Sequence, residues 1–412
     1  MTRADAWFES RYTGLFTALG SLPPRAHDPE LYMVAGTIAP SGARHESLNV
    51  GGAGLDERSA RLACIGEAIE RAHSAPLPRD ACVRASFSHW PGAEPALDPA
   101  RFVLFLPEQY STPGFPFRPF GPDTVVDWQP FRDLSSGRAL WVPEDLAYLH
   151  PRPGAAHGIA ALTSTGLSAG TDPDIVLRRG MEEVIERDAL LGAWWSRYPI
   201  EEIREARISE ELGSELWARF RRPNLEYRFF RVRSPYSDGV TIVLLRGDEP
   251  EGHVISTGAA CRESLRASFV KSCIEAVQGR HHARWVLSQG TAAPAGLPTT
   301  FVEHALHYTR HPERLADTVF ARAPACEGAL DFAASTGLPE LVARLGPDHP
   351  VLFRIVTPPV AQGAPGGFLV LKVSIVGLQP LHGDHRLAHL GGPLWAPRTL
   401  ADFAQTPPHP FA

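Results

Sequence analysis

Two stretches more than a hundred residues apart are nearly the same, GEAIER at residues 66–71 and EEVIER at residues 182–187. Each falls in a helical pattern, so the chain must fold two helices that both present glutamates one turn apart with an arginine beside the second. Two like charges at i, i+3 repel slightly, and a face built only for solubility would alternate its signs. If the two faces converge, their carboxylates concentrate negative charge, which raises carboxyl pKa values or pushes the helices apart unless a cation is held there.

The first helix is entered after the glycine-rich GGAG, with Asp56 as its N-cap. Leu62, Ile65, Ile69 and Ala72 share one apolar face, and Glu67, Glu70 and Arg71 lie away from it, with Ala63 below them. Asp172 followed by Pro173 starts the second helix. Its core face is Leu177, Met181, Val184, Ile185 and Leu191; Glu183, Glu186 and Arg187 lie on the other side, and Trp194 and Trp195 close the segment. A third helix, from about Ser264 to Arg280, turns Phe269, Val270, Cys273, Ile274 and Val277 inward. Ser268, Lys271, Ser272, Glu275 and Gln278 form its polar stripe. Taken singly, each polar stripe reads as a solvated face. The repeated wording favours a shared ion instead. Magnesium takes oxygen ligands and bridges carboxylates to phosphates, and the arginine adds a planar donor fork.

Around these helices the chain interleaves strands. LYMVAGTIAP (31–40), LEYRFFRVRS (225–234), TIVLLRG (241–247), VLFRIVTPPV (351–360) and FLVLKVSIVGL (368–378) are β-rich runs bounded by turn residues. VVDWQPFRDLSSGRALWVPEDL reads as a hairpin turning at Asp133–Gly137. The fold class is therefore α/β, with α+β mixing. The alternation and Lys372 make 368–378 a strand and not a membrane span. With 44% hydrophobic and 21% charged residues and a formal charge of -6, the composition is that of a soluble chain without a nucleic-acid footprint. Five cysteines without a C-x-x-C pair, and no apolar segment at the N-terminus, fit a cytoplasmic chain with free thiols. The proline-rich stretches 106–124 and WAPRTLADFAQTPPHPFA read as irregular.

Taken together, GGAGLDERSARLACIGEAIERAHS, LTSTGLSAGTDPDIVLRRGMEEVIERDALLGAWW and SLRASFVKSCIEAVQGR resemble the three core blocks of the YcaO family. The hairpin ending in WVP and the tail PPHPFA resemble that family's azoline-forming cyclodehydratase branch. The resemblance implies a single YcaO-type chain over 1–412, with mixed sheets and packed helices. Its lobes would be an N-terminal lead-in at 1–45, an ATP-binding core at 46–290 and a C-terminal region at 291–412. It implies ATP and Mg2+ as cofactors, and there is no Walker-type loop in the chain. Carried over, Glu67, Glu70, Glu183 and Glu186 would ligate the metal. Gly52, Gly54, Ser164, Arg187, Glu275 and Gln278 would complete the nucleotide site. Arg187 and the terminal Ala412 would serve catalysis. The chain departs from the family pattern at Ala53, Ala63, Thr165 and Ala412, where the family usually has Lys, Ser, Asn and Pro.

The function so implied is ATP-dependent conversion of Cys, Ser or Thr in a ribosomal precursor peptide to thiazoline or oxazoline. Alternatives are thioamide or macrocyclic amidine formation, and a non-catalytic peptide-binding scaffold. No N-terminal leader-binding domain is visible, so a separate leader-binding partner, E1-like or RRE-containing, is expected. A flavin dehydrogenase partner and a homodimer are compatible with the same reading. GGAG itself reads as a turn into a helix N-terminus, where backbone donors would meet phosphate. His382, His385 and His389 do not follow a recognised zinc spacing and read as structural or exposed, and His281–His282 as a surface cap.

Overall fold

Sheet edges and helix faces are set by where glycine lets backbones approach, and this is clearest at the N-terminal sheet. The computed structural model describes residues 3–10, 12–13, 15–38, 48–73, 81–149, 158–290 and 296–411. Ala412, residues 39–40 of the first β-rich run and the side chain of Ala72 lie outside that description. In chain order the strands are β1 (Phe16–Ser21), β2 (Tyr32–Ile38), β3 (Leu48–Gly54), β4 (Val83–Ala85), β5 (Val126–Asp133), β6 (Ala139–Pro143) and β7 (Leu167–Gly170). They continue with β8 (Ile200–Ile203), β9 (Leu225–Val232), β10 (Val240–Glu249), β11 (Gly252–Cys261), β12 (Val351–Ile355) and β13 (Leu369–Ile375). The helices used below are α1 (Arg3–Glu9), α2 (Glu57–His73), α3 (Pro107–Tyr110), α4 (Pro173–Trp194), α5 (Glu205–Leu212), α6 (Ser214–Phe220), α7 (Leu265–Ser288) and α8 (Phe301–Arg310).

The strands form three sheets, β1-β2-β3, β11-β10-β9-β8 and β4-β5-β12-β13-β7, with β6 on β5. Every pairing of named strands is antiparallel. The expected hairpin is β5–β6. The Gly137 N–H donates to the Asp133 carbonyl at 2.8 Å and the Ser136 N–H to Asp133 Oδ1 at 2.7 Å. Gly137 takes φ 69°, a value suited to glycine. No helix among the described residues is long and apolar enough to cross a membrane.

GGAG is not a turn: its four residues end strand β3, paired with β2. A Cβ on Gly52 would stand 2.1 Å from the Ala60 carbonyl oxygen and 2.4 Å from the Cys64 amide nitrogen, both on α2. Gly54 is pressed against Ala60 and Ser59 in the same way. Helix α2 answers with a stripe of small residues, Ala60, Cys64 and Ala68, all at 0% exposure and flanked by Ile65 and Ile69. That stripe decides the helix rotation, and Leu62, about 200° round from Ala60, is left 38% exposed where the sequence pattern had placed it in the core.

Helix α4 is buried almost all round. Asp172 caps it, accepting from the N–H groups of Asp174 and Ile175. It packs on β13 and β7 on one side and on β11 and β9 on the other. Met181, Ile185, Leu190 and Leu191 are each fully buried, and burial of such a side chain contributes about 2 kcal/mol. Its polar residues are consequently inside as well: Glu182 meets Arg178 and Arg179, and Asp188 accepts from the Gln379 N–H and Tyr198 hydroxyl.

Helix α7, capped by Ser264, runs two turns past the expected end at Arg280, to Ser288. His281 and His282 are therefore interior positions of the helix and not a cap. His281 lies against Arg284, which pairs with buried Asp28. Part of the expected polar stripe faces the second sheet: Ser268 accepts from the Arg262 N–H and Ser272 bonds Thr241 Oγ1 at 2.7 Å. Phe269, Cys273 and Val277 on the same helix are fully buried.

The proline-rich tail is irregular in backbone but firmly held. Four successive carbonyls each accept one side-chain donor: Pro407 from Trp194 Nε1, Pro408 from the Tyr308 hydroxyl, His409 from His304 Nδ1 and Pro410 from Thr257 Oγ1. The distances are 2.7–2.9 Å. Proline has no N–H to satisfy in such a buried path, and Phe411 is packed against Trp194.

Candidate active site

Each of the three acid-bearing helices touches two sheets. Helix α2 joins β3 to β7, α4 joins β13 to β11, and α7 joins β11 to β3. Their polar faces are thereby turned toward one another and not toward bulk water.

On the first wall, Glu67 Oε2 accepts the Gly51 N–H at 3.1 Å and Glu67 Oε1 pairs with Arg71 Nε at 2.8 Å. Gly51, not Gly52 or Gly54, is the glycine that opens toward the acids. A Cβ there would meet only Gln278 Nε2 of α7, at 3.4 Å, besides the Val34 carbonyl. Gly52 and Gly54, expected to line the nucleotide site, each have the Cβ side of their backbone covered by α2. The Glu70 carboxyl is pushed well above its ordinary range by burial, and then by the charges of Glu183 and Glu67, against the Arg71 charge and a backbone hydrogen bond from Ala169.

On the second wall, Glu183 Oε2 accepts the Gly166 N–H at 3.2 Å, and its other oxygen lies 3.8 Å from Arg187 Nη2. Burial raises the Glu183 carboxyl, while Arg187 and Lys372 pull it down. Glu186 Oε2 accepts the Cys261 N–H at 3.1 Å. Burial raises the Glu186 carboxyl too, and Glu275 and Glu183 add to the rise against Arg187 and Arg262. The third wall supplies Glu275, 3.1 Å from Lys271, and Gln278. Glu67, Glu70, Glu183, Glu186 and Glu275 thus lie within electrostatic reach of one another in a chain of contacts.

Ser164 lies in the turn before β7, where its carbonyl accepts the Leu167 N–H at 2.8 Å. Thr163 and Thr165 on either side bond each other through their hydroxyls at 3.0 Å. What holds this turn is Lys372 of β13, 2% exposed, whose Nζ donates to the carbonyls of Thr163 at 2.9 Å and Thr165 at 2.7 Å. Burial lowers the Lys372 ammonium to about 8, and Glu183 opposes that fall.

Sequence reasoning used Lys372 only to exclude a membrane span. A lone lysine in an otherwise apolar strand was the available signal of a buried partner. Arg262 was missed as well. It lies beside Glu182, at 3.9 Å, and burial lowers its guanidinium less than Glu186, Glu182 and Glu275 raise it. Ala53 is buried in the cluster beneath α7, whereas Ala63 is exposed on α2. The residues directly before Ala412 are pinned by the tail contacts.

The donor set is one of hard oxygen ligands, and burial followed by carboxylate neighbours raises the Glu70 and Glu186 carboxyls. A divalent cation of the magnesium type relieves that crowding, and a phosphate chain beside it would meet Arg187 and Arg262. The residues therefore fit Mg2+ and a polyphosphate.

The sequence profile described as YcaO cyclodehydratase, ATP- and Mg2+-binding, matches residues 51–378. No protein of curated function matches the sequence. Among solved structures, the fold is similar to a heterocyclase in complex with substrate and cofactor, at TM-score 0.71 and 15% identity over 93% of this chain and 54% of that one. It is also similar to YcaO from Methanopyrus kandleri bound with AMPPCP and Mg2+, at TM-score 0.60 and 19% identity over 92% of this chain and 89% of that one. A third likeness is to the E. coli microcin synthetase McbBCD complex, at TM-score 0.57 and 15% identity over 87% and 86%. The chain spans about half the length of the first of these. With the profile match covering most of its length, the chain belongs to the YcaO family, and its cofactors are ATP and Mg2+.

Proposed function

We propose that the chain is an ATP-dependent cyclodehydratase acting on Cys, Ser or Thr of a ribosomal precursor peptide, in company with a leader-binding partner protein. The observation that carries this reading is the convergence of five glutamates from three helices, with Arg187 and Arg262 at its edge. The neighbouring structures support a peptide substrate, since one is a heterocyclase in complex with substrate and another is the McbBCD complex with pro-MccB17 bound.

In this reading, Glu67, Glu70, Glu183 and Glu186 hold Mg2+, and Arg187 with Ser164, Glu275 and Gln278 orients the nucleotide. ATP supplies the phosphoryl group that turns an amide oxygen, otherwise a poor leaving group, into phosphate. The side chain of the peptide's Cys, Ser or Thr gives up its proton and adds to the preceding carbonyl carbon, the resulting oxyanion takes the γ-phosphoryl group with release of ADP, and loss of phosphate together with the amide N–H proton leaves a thiazoline or oxazoline. The chain's own work is positioning and charge neutralisation. Lys372 holds the 163–165 turn through the carbonyls of Thr163 and Thr165. The ordered tail runs along α4 and β11, where Pro407 accepts from Trp194 and Pro410 from Thr257.

The test is to incubate the chain with partner, precursor peptide, ATP and Mg2+, and to measure phosphate release together with peptide mass. Peptide-dependent hydrolysis with loss of one water per ring supports the reading. An oxygen-to-sulfur exchange or a macrocycle redirects it to another amide activation, and absence of ATP binding by calorimetry overturns it in favour of a peptide-binding scaffold.

A further inference from the structure

A second group of chemistry-bearing side chains lies outside the acidic walls. His304 is on α8, His382 and His385 follow β13, and His409 is in the tail. The ring centroids of His304, His382 and His385 form a nearly equilateral triangle with sides of 5.8, 6.0 and 5.9 Å. One nitrogen of each lies within 4.8 Å of one on the others. The three residues are 0%, 4% and 3% exposed.

The nitrogens have defined states. His304 Nδ1 donates to the His409 carbonyl at 2.7 Å, so Nε2 carries the lone pair, and no protein group meets it among the described residues. The His385 ring is bonded to the backbone of Thr406, and its Nδ1 is without a partner. Neither nitrogen of His382 has one among the described residues. A buried polar nitrogen left unpaired is costly, and three such nitrogens within 4.8 Å of one another would make a poor substitute for an apolar core. Backbone carbonyls that fix the far nitrogen of an imidazole are the usual support of a metal-binding histidine.

We propose that His304, His382 and His385 form a structural site for a borderline divalent transition-metal ion of the zinc class, separate from the Mg-nucleotide site. The chemistry selects the ion. Three imidazoles suit zinc, cobalt or nickel and not magnesium or calcium, and Asp384, the nearest acid in sequence, is paired with Arg386 at 2.6 Å. With metal–nitrogen distances of about 2.0 Å a tetrahedral site sets its ligands about 3.3 Å apart, so binding draws the three rings inward by roughly an ångström. The fourth position goes to a solvent-derived ligand. His409 is a positioning residue: its carbonyl sets the His304 tautomer, its ring stacks on His304 at 3.9 Å, and its Nε2 donates to the His382 carbonyl at 2.9 Å. The ion would therefore clip α8, the segment after β13 and the C-terminal tail into one unit. HGDH alone gave no such signal, because the third ligand comes from a helix about eighty residues earlier.

The test uses the full chain, purified with zinc in the medium and dialysed against metal-free buffer, with metal content measured by plasma mass spectrometry. The expectation is about one zinc per chain, lost in His382→Gln and in His385→Gln. Cobalt-loaded wild type provides a second readout that needs no variant: an intense visible band of a tetrahedral imidazole site is expected, and the pale spectrum of an octahedral oxygen site overturns the proposal. It is likewise overturned if the folded wild type retains no zinc or cobalt, or if a folded histidine variant keeps the full equivalent.

Discussion

Glu186 on α4 accepts the backbone N–H of Cys261 at the end of β11, at 3.1 Å. One residue thereby both ties two layers of the fold and faces the acidic site. The two roles can be separated. Glu186→Gln keeps an acceptor for Cys261 and is expected to leave stability within about 1 kcal/mol of wild type, while Mg-ATP binding by calorimetry falls at least tenfold. Glu186→Ala should lose both, with about 1–3 kcal/mol of stability gone because a buried N–H is orphaned, measured by denaturant unfolding.

Lys372 is expected to behave as a buried cation. Its ammonium is lowered to about 8 in the fold from an ordinary value of 10.5. Between those values the unfolded chain binds more protons than the folded one, so this residue makes stability rise with pH from about 8 to 10.5, by up to about 1.4 kcal/mol per pH unit. Lys372→Met should abolish that slope and, having removed the donor to the carbonyls of Thr163 and Thr165, lower stability at pH 7 by about 2–3 kcal/mol. Urea midpoints of both proteins at pH 7 and pH 10 check the sign.

The crowded carboxyls carry the opposite dependence. Glu70 is raised well above the usual 4.5 by burial and its acidic neighbours. The folded chain then holds the proton more tightly than the unfolded chain, and stability without metal falls as pH climbs from 4.5 toward the raised value. Glu70→Gln should flatten this fall. Mg-ATP binding to wild type should release protons, read by calorimetry in two buffers of different ionisation enthalpy, and Glu70→Gln should release fewer.

Gly52 and Gly51 differ in what a methyl group would meet. Gly52→Ala forces a Cβ against the α2 backbone, with the Ala60 oxygen 2.1 Å away, and should cost about 3 kcal/mol. Gly51→Ala meets Gln278 Nε2 at 3.4 Å and should cost about 1 kcal/mol or less. Thermal unfolding of the two variants side by side is the measurement.

Much of the architecture was readable before folding. The Asp172–Pro173 start, the Asp133–Gly137 turn, the alternating strands and the acid pairs of α2 and α4 all lie where local chemistry put them. The differences have two causes. Periodicity assigns one buried face to a helix, but α4 lies between two sheets and is buried almost all round, and on α7 the stripe read as polar turns Ser268 to the Arg262 N–H and Ser272 to Thr241 of β10, inside the fold. GGAG was mistaken for a turn because glycine serves tight turns and tight packing alike, and only Ala60 and Cys64 of α2 distinguish the two.

By itself the sequence determined which helices carry the acids, how those acids are spaced along each helix, and the family to which the chain belongs. The tertiary structure alone decided that Gly51 and not Gly52 or Gly54 faces Glu67 and Gln278, that Lys372 and Arg262 join the site, and that His304 of α8 meets His382 and His385 of the segment after β13. The division follows from range. Caps, turns and helical faces are settled by residues a few positions apart, whereas the partner of a buried charge or an unpaired imidazole is whichever group long-range packing brings within 3 or 4 Å.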